Sequence, residues 1–147
     1  MLLSPSDLSH IYSHIDGTIN LFSTTSTFAG GSFQVDVCSS NAPLDLVLSS
    51  VPIDSLLHAS ARTTNAHATA SVHPAFEGTY ALYTPWYQPE AKVSPSPDLA
   101  GRGRMRAGWG ESGRGCAQGA ALWVEGTADG RGSVEITTSN ALVTLAV

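Results

Sequence analysis

Val35-Asp36-Val37-Cys38-Ser39-Ser40-Asn41-Ala42-Pro43-Leu44-Asp45-Leu46-Val47-Leu48 is the stretch whose reading decides the fold. Phe33, Val35 and Val37 fall on one face, followed by Leu44, Leu46 and Leu48, while Gln34, Asp36, Asp45 and Val47 take the other. Alternation of this length marks half-buried strands. The two strands meet at Ser40-Asn41-Ala42-Pro43. There Asn tolerates the left-handed backbone that a tight corner demands, and Pro43 stops the ladder.

The same pattern recurs around Asn65-Ala66 and Asn140-Ala141. Four residues before each asparagine stand Val37, Ala61 and Ile136; three after it stand Leu44, Ala68 and Val143, then Leu46, Ala70 and Leu145. This is an internal repeat, and Asn65 follows Asn41 by 24 residues. Two geometries satisfy the offsets: a hairpin turning at Asn-Ala, or a β-solenoid with Asn-Ala at a corner and like residues stacked from coil to coil. The spacing and the prospect of asparagine on asparagine favour the solenoid.

The alanines at Ala59, Ala61, Ala68 and Ala70 place the second unit at a narrow part of the core. A degenerate unit follows, with Thr79 to Tyr83 alternating and Thr84-Pro85-Trp86 in place of the corner. Residues 94–121 break the pattern with Ser-Pro repeats, arginines and glycines, and are expected to form an inserted Gly/Arg-rich surface loop. At the start, Ser4 as cap, Pro5, and Leu8, Ile11, Tyr12 and Ile15 describe a short N-terminal helix that would cover one end of the stack. The competing reading there is an irregular first strand ended by an Asp16-Gly17 turn.

With 147 residues the chain suffices for a single β-repeat domain, 1–147, and its 13% charged residues do not suit a helical bundle. The net charge of −5 is uneven. Up to residue 101, Arg62 and Lys92 face eight acids; from residue 102, five arginines face four. Such acidity argues against broad nucleic-acid binding. Cys38 and Cys116 are expected as free thiols, with Cys38 a small buried hydrophobe. No secretory signal and no apolar run near the ~18 residues of a membrane span is present, so the cytoplasm is the expected location.

Ser39-Ser40-Asn41-Ala42-Pro43, Thr63-Thr64-Asn65-Ala66 and Thr138-Ser139-Asn140-Ala141, with Leu57-His58-Ala59 and His73-Pro74-Ala75-Phe76-Glu77-Gly78, resemble a fungal family of unknown function. That family, found mainly in mushroom-forming species, is built from Thr-Ser-Asn-Gly/Ala strands and is similar in style to bacterial adhesin β-solenoids. The resemblance covers roughly residues 33–147. Asp98 to Arg104 and Gly108-Trp109-Gly110 resemble the family's loop, while Tyr83-Thr84-Pro85-Trp86 departs from its Thr-Ser-Asn. It implies an all-β repeat fold without known catalytic residues.

Five histidines invite a metal reading, but His10 and His14, at helical spacing, lack the remainder of a zincin pattern. No metal and no cofactor is expected. Gly108-Trp109-Gly110-Glu111-Ser112-Gly113 matches G-x-G-x-x-G, yet lacks the strand before and helix after that a dinucleotide site needs. Arg102, Arg104, Arg106 and Arg114 around Trp109 offer an alternative, weak RNA or phosphate binding, against the plainer view of a solvated loop. An unrecognised enzyme would use 84–116 as a lid over His58, His67 or Cys116, and would need a deep pocket with converging polar groups. The expected function is a non-catalytic structural or interaction module, adhesin-like. It would meet protein or glycan through a strand face (Ser60, Thr63, Thr69, Thr144) or through loops carrying Trp86, Tyr87, Trp109, Arg102, Arg104 and Arg106.

Overall fold

The computed structural model describes residues 8–11, 14–21, 31–97, 101, 103, 105–123 and 132–147, with the backbone alone for 8–11. Every regular element among them is a strand: β1 (Leu8–Ile11), β2 (Ile15–Asn20), β3 (Ser32–Ser39), β4 (Leu44–Ser50), β5 (Leu56–Thr63), β6 (Ala68–Val72), β7 (Gly78–Tyr83), β8 (Glu90–Lys92), β9 (Ser96–Pro97), β10 (Met105–Gly113), β11 (Cys116–Trp123), β12 (Gly132–Thr138) and β13 (Val143–Ala146). One sheet runs β1-β3-β5-β12-β7-β11-β10-β9 and the other β2-β4-β6-β13-β8. The larger sheet curls into a half-barrel.

Each repeat unit sends one strand into each sheet and turns at its Asn-Ala corner. The units then pair in parallel and in register. Val35 faces Ala59 and Val37 faces Ala61 across β3 and β5, while Leu44 faces Ala68 across β4 and β6. Parallel pairing of like positions excludes the Asn-Ala hairpin, whose strands would be antiparallel neighbours. Inward residues of both sheets close one core, in which Leu44, Leu82, Ile136, Val143 and Leu145 are wholly buried. The alanine unit β5–β6 lies between units lined by larger residues. Ala61 has Val37 on one side and Ile136 on the other.

The corners are held by side chains. Asn65 Nδ2 donates to Asn41 Oδ1 (2.6 Å), and Asn140 Nδ2 donates to Asn65 Oδ1 (2.7 Å), giving an amide ladder along the stack. None of these asparagines has a positive φ; among described non-glycine residues only Asp54 does (57°). Asparagine therefore serves the corner through its amide, which both donates and accepts, rather than through left-handed backbone. Two residues earlier stands a buried hydroxyl. Ser39 Oγ accepts from Ala42 N–H, and Thr138 Oγ1 accepts from the N–H groups of Asn140 (3.3 Å) and Ala141 (3.0 Å). Thr63 and Thr84 donate to the corner carbonyls of Ala42 and Ala141 in adjoining units. Replacing Thr138 by isosteric valine leaves two turn N–H groups without acceptors. It is expected to destabilise the fold by about 2–3 kcal/mol, read from urea unfolding, whereas Thr138→Ser should cost far less.

The strand order departs from that of a solenoid, whose coils stack in chain order. The last unit, β12–β13, lies between β5–β6 and β7–β8, pairing in parallel with both in each sheet. Two glycines permit the close approach: a Cβ on Gly132 would run into the Leu57 carbonyl, and one on Gly78 into the Gly132 carbonyl.

Three further expectations are corrected. Where the N-terminal helix was expected, Leu8–Ile11 is a strand parallel to β3, and β2 runs straight through Asp16-Gly17 with no turn; the helix's proposed cap and first turn lie outside the described residues. The fold supplies parallel neighbours there, and ladder bonding outweighs the helical spacing of four apolar residues. The segment 94–121 is mostly strand rather than loop. β10 and β11 form an antiparallel hairpin, joined to β7 on one side and to β9 on the other. Its turn, Arg114-Gly115, places Gly115 at φ 86°, the region that the second central position of a type II turn requires. Cys38 is exposed, because alternation that buries Val37 must turn its neighbour outward; both cysteines are free. No helix among the described residues is long and apolar enough to cross a membrane.

Candidate functional site

The outer face of the half-barrel carries the densest assembly of side chains with binding chemistry. In a strand, alternate residues share a face, and register aligns them across the sheet. On β10, Gly108 and Gly110 face inward, so Trp109 and Glu111 face outward; Trp109 is 62% exposed. Glu111 is followed across the sheet by Gln118, Ala81, Glu135, Ser60 and Asp36. Beside that row runs a second, from Trp109 through Ala120, Thr79, Ser133 and His58 to Gln34. Neither row contains a lysine or arginine. A groove of about 550 Å³ lies over β12, β7, β11 and β10, lined by Thr79, Ala81, Trp109, Glu111, Gln118, Ser133 and Glu135 among others. Polar contacts pre-order the rows beyond it: His58 Nδ1 lies 2.9 Å from Ser133 Oγ, and Gln34 Nε2 donates to Asp36 Oδ2 at 2.8 Å.

The glycines of the G-x-G-x-x-G match have a packing role. Tyr80 points into the half-barrel, and its ring and hydroxyl lie against Gly110 and Gly119, where any Cβ would collide with the phenol. Gly108 likewise makes room for Val93. Burial raises the Tyr80 pKa above its ordinary value. The nucleotide reading therefore fails on local structure, since strand rather than a helix follows the glycines.

Arg106 is not a solvated binding residue. It is 1% exposed, and its guanidinium donates to the carbonyls of Phe76 and Ser94, both at 3.2 Å. It sits where β10 passes the corner before β7, so its charge staples two loops. Burial lowers its pKa. Arg102 and Arg104 lie outside the described residues. Nearby His73 accepts a hydrogen bond at Nδ1 from Ala75 N–H (3.1 Å), and burial, then the Arg106 charge, lowers its pKa below 6.5. The folded state thus holds His73 neutral while the unfolded chain protonates near 6.5. The stability this contributes is complete above that pH and is lost as pH falls through the lower folded value. Melting temperature measured from pH 7 to 5 is expected to fall less in His73→Asn than in the parent chain.

Trp86 occupies the position of the missing ladder asparagine and is 66% exposed. Tyr87 follows it, its carbonyl accepting from Gly115 N–H at 3.0 Å. Both lie at the corner end of the stack and line neither groove that Trp109 lines, so the aromatic loop and Trp109 do not converge. The Ser/Thr face is split as well. Thr63 is buried, Ser60 lies on the larger sheet, and Thr69 pairs with Thr144 on the smaller one.

His58, His67 and Cys116 fall on a strand face, a corner and a hairpin base, and do not converge. His14 instead meets Asp45 at 2.7 Å. No group of three or more His, Cys, Asp or Glu able to hold a metal occurs among the described residues. The Ser133–His58 pair has the distance of a nucleophile and base. However, β5 and β12 are paired on both sides, which commits their backbone N–H groups to the sheet rather than to an oxyanion hole beside Ser133. The sequence names Trp109 as a candidate but gives no sign of the Glu111-to-Asp36 row, which arises only through register.

Comparison with protein-family models, with curated proteins and with solved structures finds no match.

Proposed function

We propose that this protein is a non-catalytic interaction module that binds carbohydrate through the outer face of its curled sheet. The observation carrying this reading is Trp109, exposed in the middle of a strand and standing at a groove that also presents carboxylate, amide and hydroxyl side chains beside apolar ones. An indole stacks on the C–H face of a pyranose, while Glu111, Gln118, Glu135, Thr79 and Ser133 can accept from and donate to ring hydroxyls.

This reading keeps the stack as a β-solenoid-type architecture, adhesin-like in style, with its last coil inserted. Membership of the fungal Thr-Ser-Asn repeat family belongs to the same reading, supported by the residues that build the corners. Two free cysteines, one exposed, suit a reducing compartment such as the cytoplasm. Arginine-loop binding of RNA loses support from the burial of Arg106.

The test is a screen against immobilised glycans with the parent protein and Trp109→Ala. Binding to at least one glycan is expected, weakened about tenfold or more by the substitution. If no glycan is bound, or if Trp109→Ala binds as well as the parent, the proposal falls.

A further inference from the structure

We infer that the ligand is a linear oligosaccharide without anionic groups, laid across the strands rather than along them. This rests on the carbohydrate reading above. The groove is only the anchored part of a longer track. From Glu111 the register carries Gln118, Glu135, Ser60 and Asp36 to the outer face of each successive strand except β7, which contributes Ala81. The track covers five inter-strand steps, about 24 Å along the sheet at ~4.8 Å each. That step is close to the length of one pyranose ring in an extended chain, so each sugar would meet the polar side chain of one strand. A ligand lying along a strand would instead meet residues two apart and soon run off the groove.

The charge on the track sets the class. Glu111, Glu135 and Asp36 are its ionisable members, all acidic, and among the described residues the one cation beside it, Arg62, stands in the next row on β5. A uronate or sulfated chain would place like charge against three carboxylates, whereas neutral or amino sugars would not. Trp109 stands at one end, so the chain is anchored there and gains contacts toward β3. Asp36 arrives pre-oriented by Gln34.

The experiment titrates the parent protein, Trp109→Ala and the double variant Asp36→Ala/Ser60→Ala with neutral oligosaccharides from disaccharide to hexasaccharide, taken from the glycan found in the screen. Affinity for the parent is expected to rise with length, by about tenfold or more from disaccharide to hexasaccharide. Trp109→Ala should weaken every length. Asp36→Ala/Ser60→Ala should weaken the hexasaccharide and leave the disaccharide unchanged; both positions face outward, and an unaltered melting curve verifies the fold. Affinity that depends on Trp109 but is flat with length, or a double variant that binds the hexasaccharide like the parent, overturns the across-strand track and leaves the carbohydrate reading standing. Tighter binding of a polyuronate than of the neutral chain overturns the assigned class.

Discussion

Deletion of residues 132–147 is expected to abolish the whole fold rather than shorten it by one unit. In a stack built in chain order the last unit would be a terminal layer, and its loss would leave the others paired. Here β12 is bonded to β5 and β7, and β13 to β6 and β8. Their removal parts both sheets through the middle. It also strips Val134, Ile136, Val143, Leu145 and Val147 from the core. At about 2 kcal/mol per buried apolar side chain, that is roughly 10 kcal/mol, as large as the entire stability of an ordinary domain. The truncated chain should give a collapsed, poorly dispersed NMR spectrum without a cooperative melt. A synthetic peptide of the missing residues should restore dispersion. A truncated chain that melts cooperatively with native-like dispersion would contradict the inserted order.

Gly119→Ala should be severely damaging to the β10–β11 hairpin, and Gly110→Ala a milder relative that a second change can rescue. At Gly110 the new Cβ collides with the Tyr80 hydroxyl, while the ring carbon behind it stands 3.2 Å away. Tyr80→Phe removes the colliding atom. At Gly119 the Cβ meets the Trp109 carbonyl and, at 2.7 Å, the Gly110 Cα, which are backbone of the paired strand and cannot step aside. Overpacking costs of about 1–3 kcal/mol are usual; Gly119→Ala should reach about 3 kcal/mol and Gly110→Ala about 2 kcal/mol. Unfolding of the five single and double variants, Tyr80→Phe alone among them, checks this. Adding Tyr80→Phe should recover most of the loss at position 110 and little at position 119. Equal recovery at both would mean that the phenol alone sets the spacing of the hairpin.

Much of this arrangement was legible before any coordinate. Strict alternation from Phe33 to Leu48 located β3, β4 and their corner, and the equal offsets around Asn41, Asn65 and Asn140 foretold amides on amides. The order of the units was not legible. All of them share one inward pattern, so each is an acceptable neighbour for any other, and only the close approach of Gly78 to Gly132 distinguishes the inserted order. The hairpin β10–β11 was hidden because most of its inward positions, Gly108, Gly110, Ala117, Gly119 and Ala121, are glycine and alanine, which resemble loop composition until Tyr80 is seen filling the space. Arg106 was misjudged for a related reason. In a segment of alternating Gly and Arg, nothing local marks the one arginine whose guanidinium meets buried carbonyls. Cys38 was the avoidable error, since the alternation that buried Val37 already assigned it to the outer face.

The order of the stack also bears on how the protein is made. On the ribosome β5 and β7 emerge well before β12, and each presents an alternating strand to which the other could bind. Synthesis at about 5–20 residues per second leaves seconds in which that mispairing can form. The register of β5 on β7 would satisfy the same inward pattern, so premature pairing is expected to act as a kinetic trap of near-native appearance. It must open before the last strands can enter. Refolding from denaturant should accordingly show a slow phase, one that shortens when the β5–β7 contact is disfavoured.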